Sequence, residues 1–205
     1  MLPTPQVAHL RRPEFRDAVY DPAEDTFSLM DALEQEKDVL GALTSPLCVE
    51  IGSGSGCVSA FLAQIARGAY ICTDINPAAA ACTAETAAEN GCALAPINTY
   101  LVDGLRVDGQ VDILVFNPPY VPTSDAEEAA EQERASLGGA WAGGPLGTRL
   151  IDALISSGTI QVRNANQRLL SPQGRFYLVA IKQNDPEGLC KSLYACGLHA
   201  EVRMD

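Results

Sequence analysis

Cations are scarce in this chain. Against 26 aspartates and glutamates its 205 residues include 14 lysines and arginines, a formal net charge of −12 with a pI near 4.5. No basic run exceeds Arg11-Arg12. A surface that grips nucleic acid sets cations against phosphates, so a nucleic-acid substrate is disfavoured unless a partner brings the positive charge. Long apolar runs are missing too: nothing approaches the ~20 residues of a membrane span. Met1-Leu2-Pro3-Thr4-Pro5 lacks the charged-then-apolar pattern of a secretory signal. We therefore expect no membrane association and a location in the cytoplasm, with the nucleus as a second compartment. Cys-x-x-Cys pairs are absent. The seven cysteines (48, 57, 72, 82, 92, 190 and 196) read as small buried hydrophobes in a reducing compartment, with no metal site. The two histidines, His9 and His199, fall outside every motif, and neither is expected to be catalytic.

What is present is enough for one domain with a sizeable core: 47% of the residues are hydrophobic. Short apolar runs alternate with helix-like stretches, the pattern of a parallel α/β sheet with helices on both faces. Strands are predicted at 47–52, 70–75, 97–102, 111–116 and 175–181, with a short one at 199–204. Asp21-Pro22-Ala23-Glu24 reads as cap, proline and first-turn acid of a helix running to about Glu36. Val58, Phe61, Leu62 and Ile65 repeat at helical spacing, with Gly68 as the stop. Asn76-Pro77 opens an alanine-rich helix that stops near Gly91, and Asp185-Pro186-Glu187 opens another that stops at Gly197.

The first strand runs from Glu50 into Gly52-Ser53-Gly54-Ser55-Gly56. Glycines at a strand-to-helix turn let backbone approach a nucleotide-like ligand closely. The spacing is not Gly-x-Gly-x-x-Gly, and no Gly-Lys-Ser/Thr occurs, so a cofactor without pyrophosphate is indicated. Asp74 ends the second strand, placed to accept from both ribose hydroxyls. Asp103 closes the third, placed to meet an adenine amine. With Glu50 these form a carboxylate cluster that would repel a phosphate. It suits a ligand with an amino group and a sulfonium charge, S-adenosylmethionine. Each acid alone would more often be a solvated turn residue.

Strand 111–116 ends in Asn117-Pro118-Pro119-Tyr120. Two prolines remove two donors and fix φ, so the corner presents carbonyls and the Asn117 side chain, acceptors for the hydrogens of an –NH2 group. Tyr120 offers a flat face for stacking. A rigid turn after a buried strand is the plain alternative. Beyond it, 122–148 opens acidic and closes glycine-rich around the only tryptophan, Trp141. Such a long connection reads as the wall or lid of a substrate site, and the alternative is a disordered surface loop.

With these motifs in place the chain resembles the class I S-adenosylmethionine methyltransferases. Within them it is similar to the HemK-like glutamine methyltransferases of the eukaryotic and archaeal branch that modifies the translation termination factor. The likeness runs from about Val19 to Leu198. It is carried by Tyr20-Asp21-Pro22-Ala23-Glu24-Asp25-Thr26, Glu50 to Gly56, Thr73-Asp74-Ile75-Asn76, Asn117 to Tyr120, and Ala140-Trp141-Ala142-Gly143-Gly144.

The resemblance implies a Rossmann-like sheet in one domain over 1–205, with an N-terminal helical segment, 1–40, packing over the cofactor site. It implies S-adenosylmethionine as cofactor, contacted by Thr26, Glu50, Gly52, Gly54, Asp74, Asp103, Gly104 and Asn117. It assigns the acceptor amide to Asn117 and Pro118, aided by Pro119, Tyr120 and Trp141, and names Asn117, Pro118 and Tyr120 as catalytic. The implied acceptor is the side-chain nitrogen of the glutamine in a Gly-Gly-Gln motif. The implied partner is a small zinc-binding activator protein, as a heterodimer. The family often has a larger residue at 104, and it continues for a further strand where this sequence stops, so a trimmed C-terminal strand is expected. Rival readings are amino-methylation of nucleic acid, methylation of a protein lysine, and a binding module that keeps the pocket without transfer.

Overall fold

Strands apolar on both sides need cover on both sides, and the chain supplies it. The computed structural model describes residues 1–120, 147–160 and 169–203. Its strands are β1 (Leu47–Ile51), β2 (Ala69–Asp74), β3 (Ala95–Asn98), β4 (Val111–Phe116) and β5 (Leu170–Leu178). They lie in the order β3-β2-β1-β4-β5, each neighbouring pair parallel. The α-helices among the described residues are α1 (Pro13–Arg16), α2 (Glu24–Gln35), α3 (Lys37–Gly41), α4 (Cys57–Leu62), α5 (Pro77–Asn90), α6 (Arg149–Ser156) and α7 (Pro186–Ala195). Alternation along the strands sorts the core into two layers. On one side Leu29, Met30 and Leu33 of α2 and Val58 and Phe61 of α4 pack on Cys48, Ile113 and Val115. On the other, Ile151 and Leu154 of α6 and Leu189 and Leu193 of α7 pack on Val49, Ile51, Leu114 and Phe116.

The N-terminal segment packs mainly on α5. Leu10, Phe15 and Val19 bury against Ala79 and Cys82, and Asn76 donates to the Ala18 carbonyl. His9, in a short 3-10 turn (Ala8–Arg11), is fully enclosed. Its Nδ1 lies 2.9 Å from Glu89 and its Nε2 3.0 Å from the Thr86 hydroxyl. Thr86 in turn donates to the Ser55 carbonyl of the glycine turn. The segment thus braces that turn from behind.

Several element boundaries differ from those read in the sequence. The third strand is 95–98, not 97–102. Pro96 sits inside it because β3 is an edge strand, where a missing N–H costs no ladder bond. It stops at Asn98, whose side chain donates to the carbonyls of Asp74 and Ile75 and so turns the chain. Asp103 therefore lies in an exposed turn beyond the strand end. α2 begins at Glu24 with Ala23 as its N-cap, not at Asp21: the Ala23 N–H donates to Thr26 Oγ1. α4 ends at Leu62: after Ala63, which still bonds Ser59 four residues back, the amides of Gln64 and Ile65 bond three residues back, to Phe61 and Leu62, and tighten the chain out of the α-helix. Gly68 belongs instead to the entry of β2, where a Cβ would lie 2.0 Å from the Pro46 carbonyl oxygen.

The last strand starts at Leu170 rather than 175. Between the Val111–Leu170 and Ile113–Arg175 pairs the register shifts over Ser171-Pro172-Gln173-Gly174, which reads as a turn. No strand forms at 199–203. The caps Asn76 and Asp185 are as expected, accepting from Ala78 and Gly188, and Gly91 ends α5 in the left-handed region. No described helix is long and apolar enough to cross a membrane.

One buried acid ties β1 to α4. Strand alternation points Glu50 into the α2/α4 layer, 4% exposed, where it accepts from both the backbone N–H and the hydroxyl of Ser59. Burial, with Asp74 nearby, holds its carboxyl up at about 8 against the downward pull of the Ser59 donors, so the acid expected to be a negative charge beside the loop titrates well above the ordinary carboxyl range. Between the free-carboxyl range and pH 8 the folded state therefore binds more protons than the unfolded one, so stability falls as pH rises through that window. In Glu50→Gln we expect the slope between pH 5 and 8 to flatten. The variant should match wild type at pH 5 and melt higher at pH 9, as scanning calorimetry will show. An unchanged slope would place the dependence elsewhere.

Candidate active site

Parallel pairing sets three strand ends side by side. Ile51 pairs with Thr73 on one side and Phe116 on the other. The residues that follow, Gly52, Asp74 and Asn117, consequently emerge at one edge. β1 also lies where the chain order reverses, since β2 and β3 go one way and β4 and β5 the other. In open α/β sheets ligands bind in the crevice at that point, outside the carboxyl ends of the strands.

The glycine turn leaves β1 with Gly52, Gly54 and Gly56 at φ of +65°, +51° and +75°. A Cβ at Gly56 would come within 3.0 Å of Thr83 Cα, and at Gly54 it would meet nothing within 4 Å. Gly56 is thus demanded by packing on α5. Gly54 keeps the backbone bare toward the crevice. Thr83 hydrogen-bonds the Gly54 carbonyl and the Ser53 hydroxyl, and Ser53 N–H donates to the Thr73 carbonyl. Asp74 completes the turn: one carboxylate oxygen accepts from Gly54 N–H at 2.9 Å and the other from Asn76 N–H at 2.8 Å. Burial raises its carboxyl above the usual range while these amides pull it back. Each oxygen still has a lone pair to offer, as two ribose hydroxyls require. Thr26 is buried in the first turn of α2 on the Ala23 N–H. Asp103 and Gly104 are exposed in the turn after β3, with Gly104 at φ +79°. A bare loop, an acid at the β2 end and no cation among them fit S-adenosylmethionine.

The Asn-Pro-Pro-Tyr corner follows Phe116 directly. Asn117 Nδ2 donates to Asp25 Oδ2 at 2.7 Å. Its Oδ1 is buried and has no hydrogen-bond partner among the described residues. Buried polar atoms are nearly always paired, so this oxygen is an acceptor waiting for a donor. Asp25 is also bonded by Tyr20, whose hydroxyl donates to Oδ1 at 3.0 Å, and the Tyr120 hydroxyl lies against both. Burial first, and then Asp25, push both tyrosines above their ordinary range, so they stay protonated donors. From the far side Asn184 Nδ2 donates to the Tyr120 carbonyl at 2.8 Å. At Gly147 a Cβ would fall 2.0 Å from that same carbonyl oxygen.

Of the residues singled out in the sequence, Gly52, Gly54, Asp74 and Asn117 meet at one edge, with Pro118, Pro119 and Tyr120 forming the corner. Glu50 lies behind the turn, in the core. Trp141 and the loop from 121 to 146 lie outside the described residues. The sequence assigned no individual role to Asp25, Gly147 or Asn184: Asp25 stands inside the Tyr20–Thr26 motif, Gly147 inside the glycine-rich end of 122–148, and Asn184 carries no local signal. A separate cavity of about 400 Å³, lined by Arg67, Tyr70 and Cys92 among others, contains none of these motifs.

Comparison with known proteins agrees with this geometry. Residues 25–135 match the family described as methyltransferase small domain. Methyltransferase HEMK2 of Mus musculus is 47% identical over 99% of this chain and 90% of its own length. The eRF1 methyltransferase catalytic subunit mtq2 of Schizosaccharomyces pombe is 38% identical over 96% and 87%. A release factor glutamine methyltransferase of Deinococcus radiodurans is 29% identical over 81% and 56%. Among solved structures, the ribosomal protein L11 methylase of Lactobacillus delbrueckii subsp. bulgaricus shares the fold. Its TM-score is 0.61 at 17% identity, covering 92% of this chain and 76% of that one. A glycine turn, an acid and an amide-bearing corner at adjoining strand ends thus come with extended sequence identity, and the chain belongs to the methyltransferase small-domain family, among its HEMK2-like members.

Proposed function

We propose that this chain methylates the side-chain amide nitrogen of the glutamine in the Gly-Gly-Gln motif of a translation termination factor, as the catalytic subunit of a heterodimer working in the cytoplasm. Two of the three relatives named above are an eRF1 methyltransferase subunit and a release factor glutamine methyltransferase. The observation that carries the reading is Asn117 Oδ1, buried and without a partner among the described residues: a carboxamide –NH2 supplies the donor that this oxygen lacks.

Asp74 and the Gly52–Gly54 backbone would hold the cofactor, and Thr26, Asp103 and Gly104 lie on elements flanking them. S-adenosylmethionine, when bound, supplies an electrophilic methyl group on a positively charged sulfur. The protein's task is to position a weak nucleophile, since an amide lone pair is delocalised into its carbonyl. Asn117 Oδ1 takes one N–H of the acceptor and the Pro118 carbonyl takes the other. Such alignment is worth roughly 7–11 kcal/mol of a barrier when geometry is near-attack. Both hydrogen bonds strengthen as positive charge builds on the nitrogen, so they favour the transition state over the ground state. Tyr120 and Pro119 wall the amide plane. No strong general base is needed, because the acceptor nitrogen becomes acidic as it is alkylated.

The zinc-binding activator is assigned to β3. This strand is an edge, and exposed parallel edges pair readily with other chains. Apolar groups surround it: Ile75, Ile97 and Tyr100 are 69%, 36% and 44% exposed.

Four outcomes test the reading. Asn117→Ala should cut turnover about 10²–10³-fold, in line with loss of one preorganised transition-state partner, with a smaller change in cofactor affinity. Mass spectrometry of a Gly-Gly-Gln protein incubated with enzyme and activator should place the methyl on the glutamine; a methyl found on an adenine amine or a lysine instead would redirect the assignment. Asp74→Ala should weaken cofactor binding about 10–100-fold, the loss of one or two charge-assisted hydrogen bonds, and unaltered calorimetric affinity would remove Asp74 from the ribose role. Amide hydrogen exchange across 95–98 should slow when the activator binds, whereas protection confined to other segments would move the interface.

A further inference from the structure

An asparagine side chain is ambiguous. Its terminal torsion is broad and roughly two-fold, so Asn117 can present either its oxygen or its –NH2 to the crevice. Only the oxygen can receive an acceptor amide. Neighbouring prolines cannot make this choice, because they fix the backbone and leave the amide free to turn over. The partner behind the amide makes it. Asp25 Oδ2 stands 2.7 Å from Nδ2, and an ionised carboxylate accepts but does not donate. The –NH2 end must face Asp25, and Oδ1, buried and without a partner among the described residues, must face away. Asp25 is itself fixed, since its other oxygen takes the Tyr20 hydroxyl at 3.0 Å. Hydrogen bonding to a carboxylate also polarises the Asn117 amide and makes its oxygen a better acceptor.

We infer that Asp25, held by Tyr20, is a positioning residue for methyl transfer: it sets which end of the Asn117 amide meets the acceptor nitrogen. The inference rests on the reading of Asn117 as the acceptor's ligand, and it gives Asp25 a function exerted through Asn117 rather than on the reacting atoms.

The donor and acceptor roles can be exchanged between the two positions. In Asp25→Asn the introduced amide keeps its oxygen on Tyr20 and turns its –NH2 toward Asn117. That forces the Asn117 amide over and puts –NH2 into the crevice. Asn117→Asp sets two carboxylates face to face, and one must take up a proton. In the double variant the amide introduced at position 25 accepts from Tyr20 and donates to the carboxylate introduced at position 117. The second oxygen of that carboxylate again faces the acceptor.

We expect each single variant to lose about 30-fold or more in kcat with cofactor affinity within about threefold of wild type. The double variant should regain at least about tenfold over either single one, the coupling expected of two residues that share a hydrogen bond. Three results would overturn the role: near-normal kcat in Asp25→Asn, no recovery in the double variant, or equal losses of rate and cofactor affinity. A second readout needs no acceptor. In the free enzyme the nitrogen-15 NMR signal of the Asn117 side-chain amide should show one downfield, slowly exchanging proton that Asp25→Asn abolishes. Solvent-like exchange in wild type would also overturn the role. Failure of wild type to label a Gly-Gly-Gln protein would sink the substrate assignment alone, since the NMR arm still decides the orientation of Asn117.

Discussion

The register of β1 against its two neighbours is the constraint from which the site follows. Ile51 opposite Thr73 and Phe116 brings three chain segments to one edge at the same height. A slip by one residue would turn every side chain of β1 to the other face. Glu50 would then lose Ser59, and Val49 and Ile51 would leave the α6/α7 layer. Register is therefore held by core packing on both faces, and the active edge inherits its alignment. Catalytic geometry here is a by-product of how a parallel sheet buries itself.

The three acids that drew attention in the sequence turn out to occupy three different environments. Glu50 is enclosed, with its carboxyl held well above the ordinary range by burial, and it accepts from Ser59 at the start of α4. Asp74 is partly buried between two backbone amides and keeps capacity for a ligand. Asp103 stands in an exposed turn. That Asp74 closes β2 beside the glycine turn was legible in the sequence; that Glu50 turns into the core and that Asp103 stands beyond the end of β3 were not. Charge state depends on which face a strand turns inward and on what donors meet it there, and Ser59 lies in a helix whose packing no local pattern specifies.

Legibility tracked how local the cause of a feature is. β1, β2 and β4 were visible because apolar runs of that length between turn residues have few alternatives, and the caps Asn76 and Asp185 because a cap and its proline are neighbours. β3 was displaced because Pro96 reads as a breaker, and only its place at the sheet edge excuses it. β5 began earlier than read because Ser171-Pro172-Gln173-Gly174 carries turn chemistry inside a strand that resumes pairing beyond it. The corner at 117–120 was recognisable as a rigid acceptor, whereas its braces were not. Asn184 and Gly147 meet the Tyr120 carbonyl from distant segments, a relation that exists only after folding.

Asp25 shows what that distance means for chemistry. Seen in the sequence it is one more acid in the first turn of a helix, where it favours the helix dipole and needs no other explanation. In the fold it stands behind the amide of a residue from a distant strand connection, and it decides something the Asn-Pro-Pro-Tyr tetrapeptide cannot decide for itself. A corner stripped of two backbone donors by its prolines still carries the Asn117 –NH2, and that donor competes with its own oxygen for the place facing the substrate. Sequestering it on a carboxylate leaves the oxygen as the end of Asn117 that faces the acceptor. The same device explains why the unpartnered Oδ1 is tolerated: its lost hydrogen bond is the cost of a site kept ready for an –NH2 group, and the bonds from Tyr20 and Asn117 to Asp25 keep it from relaxing.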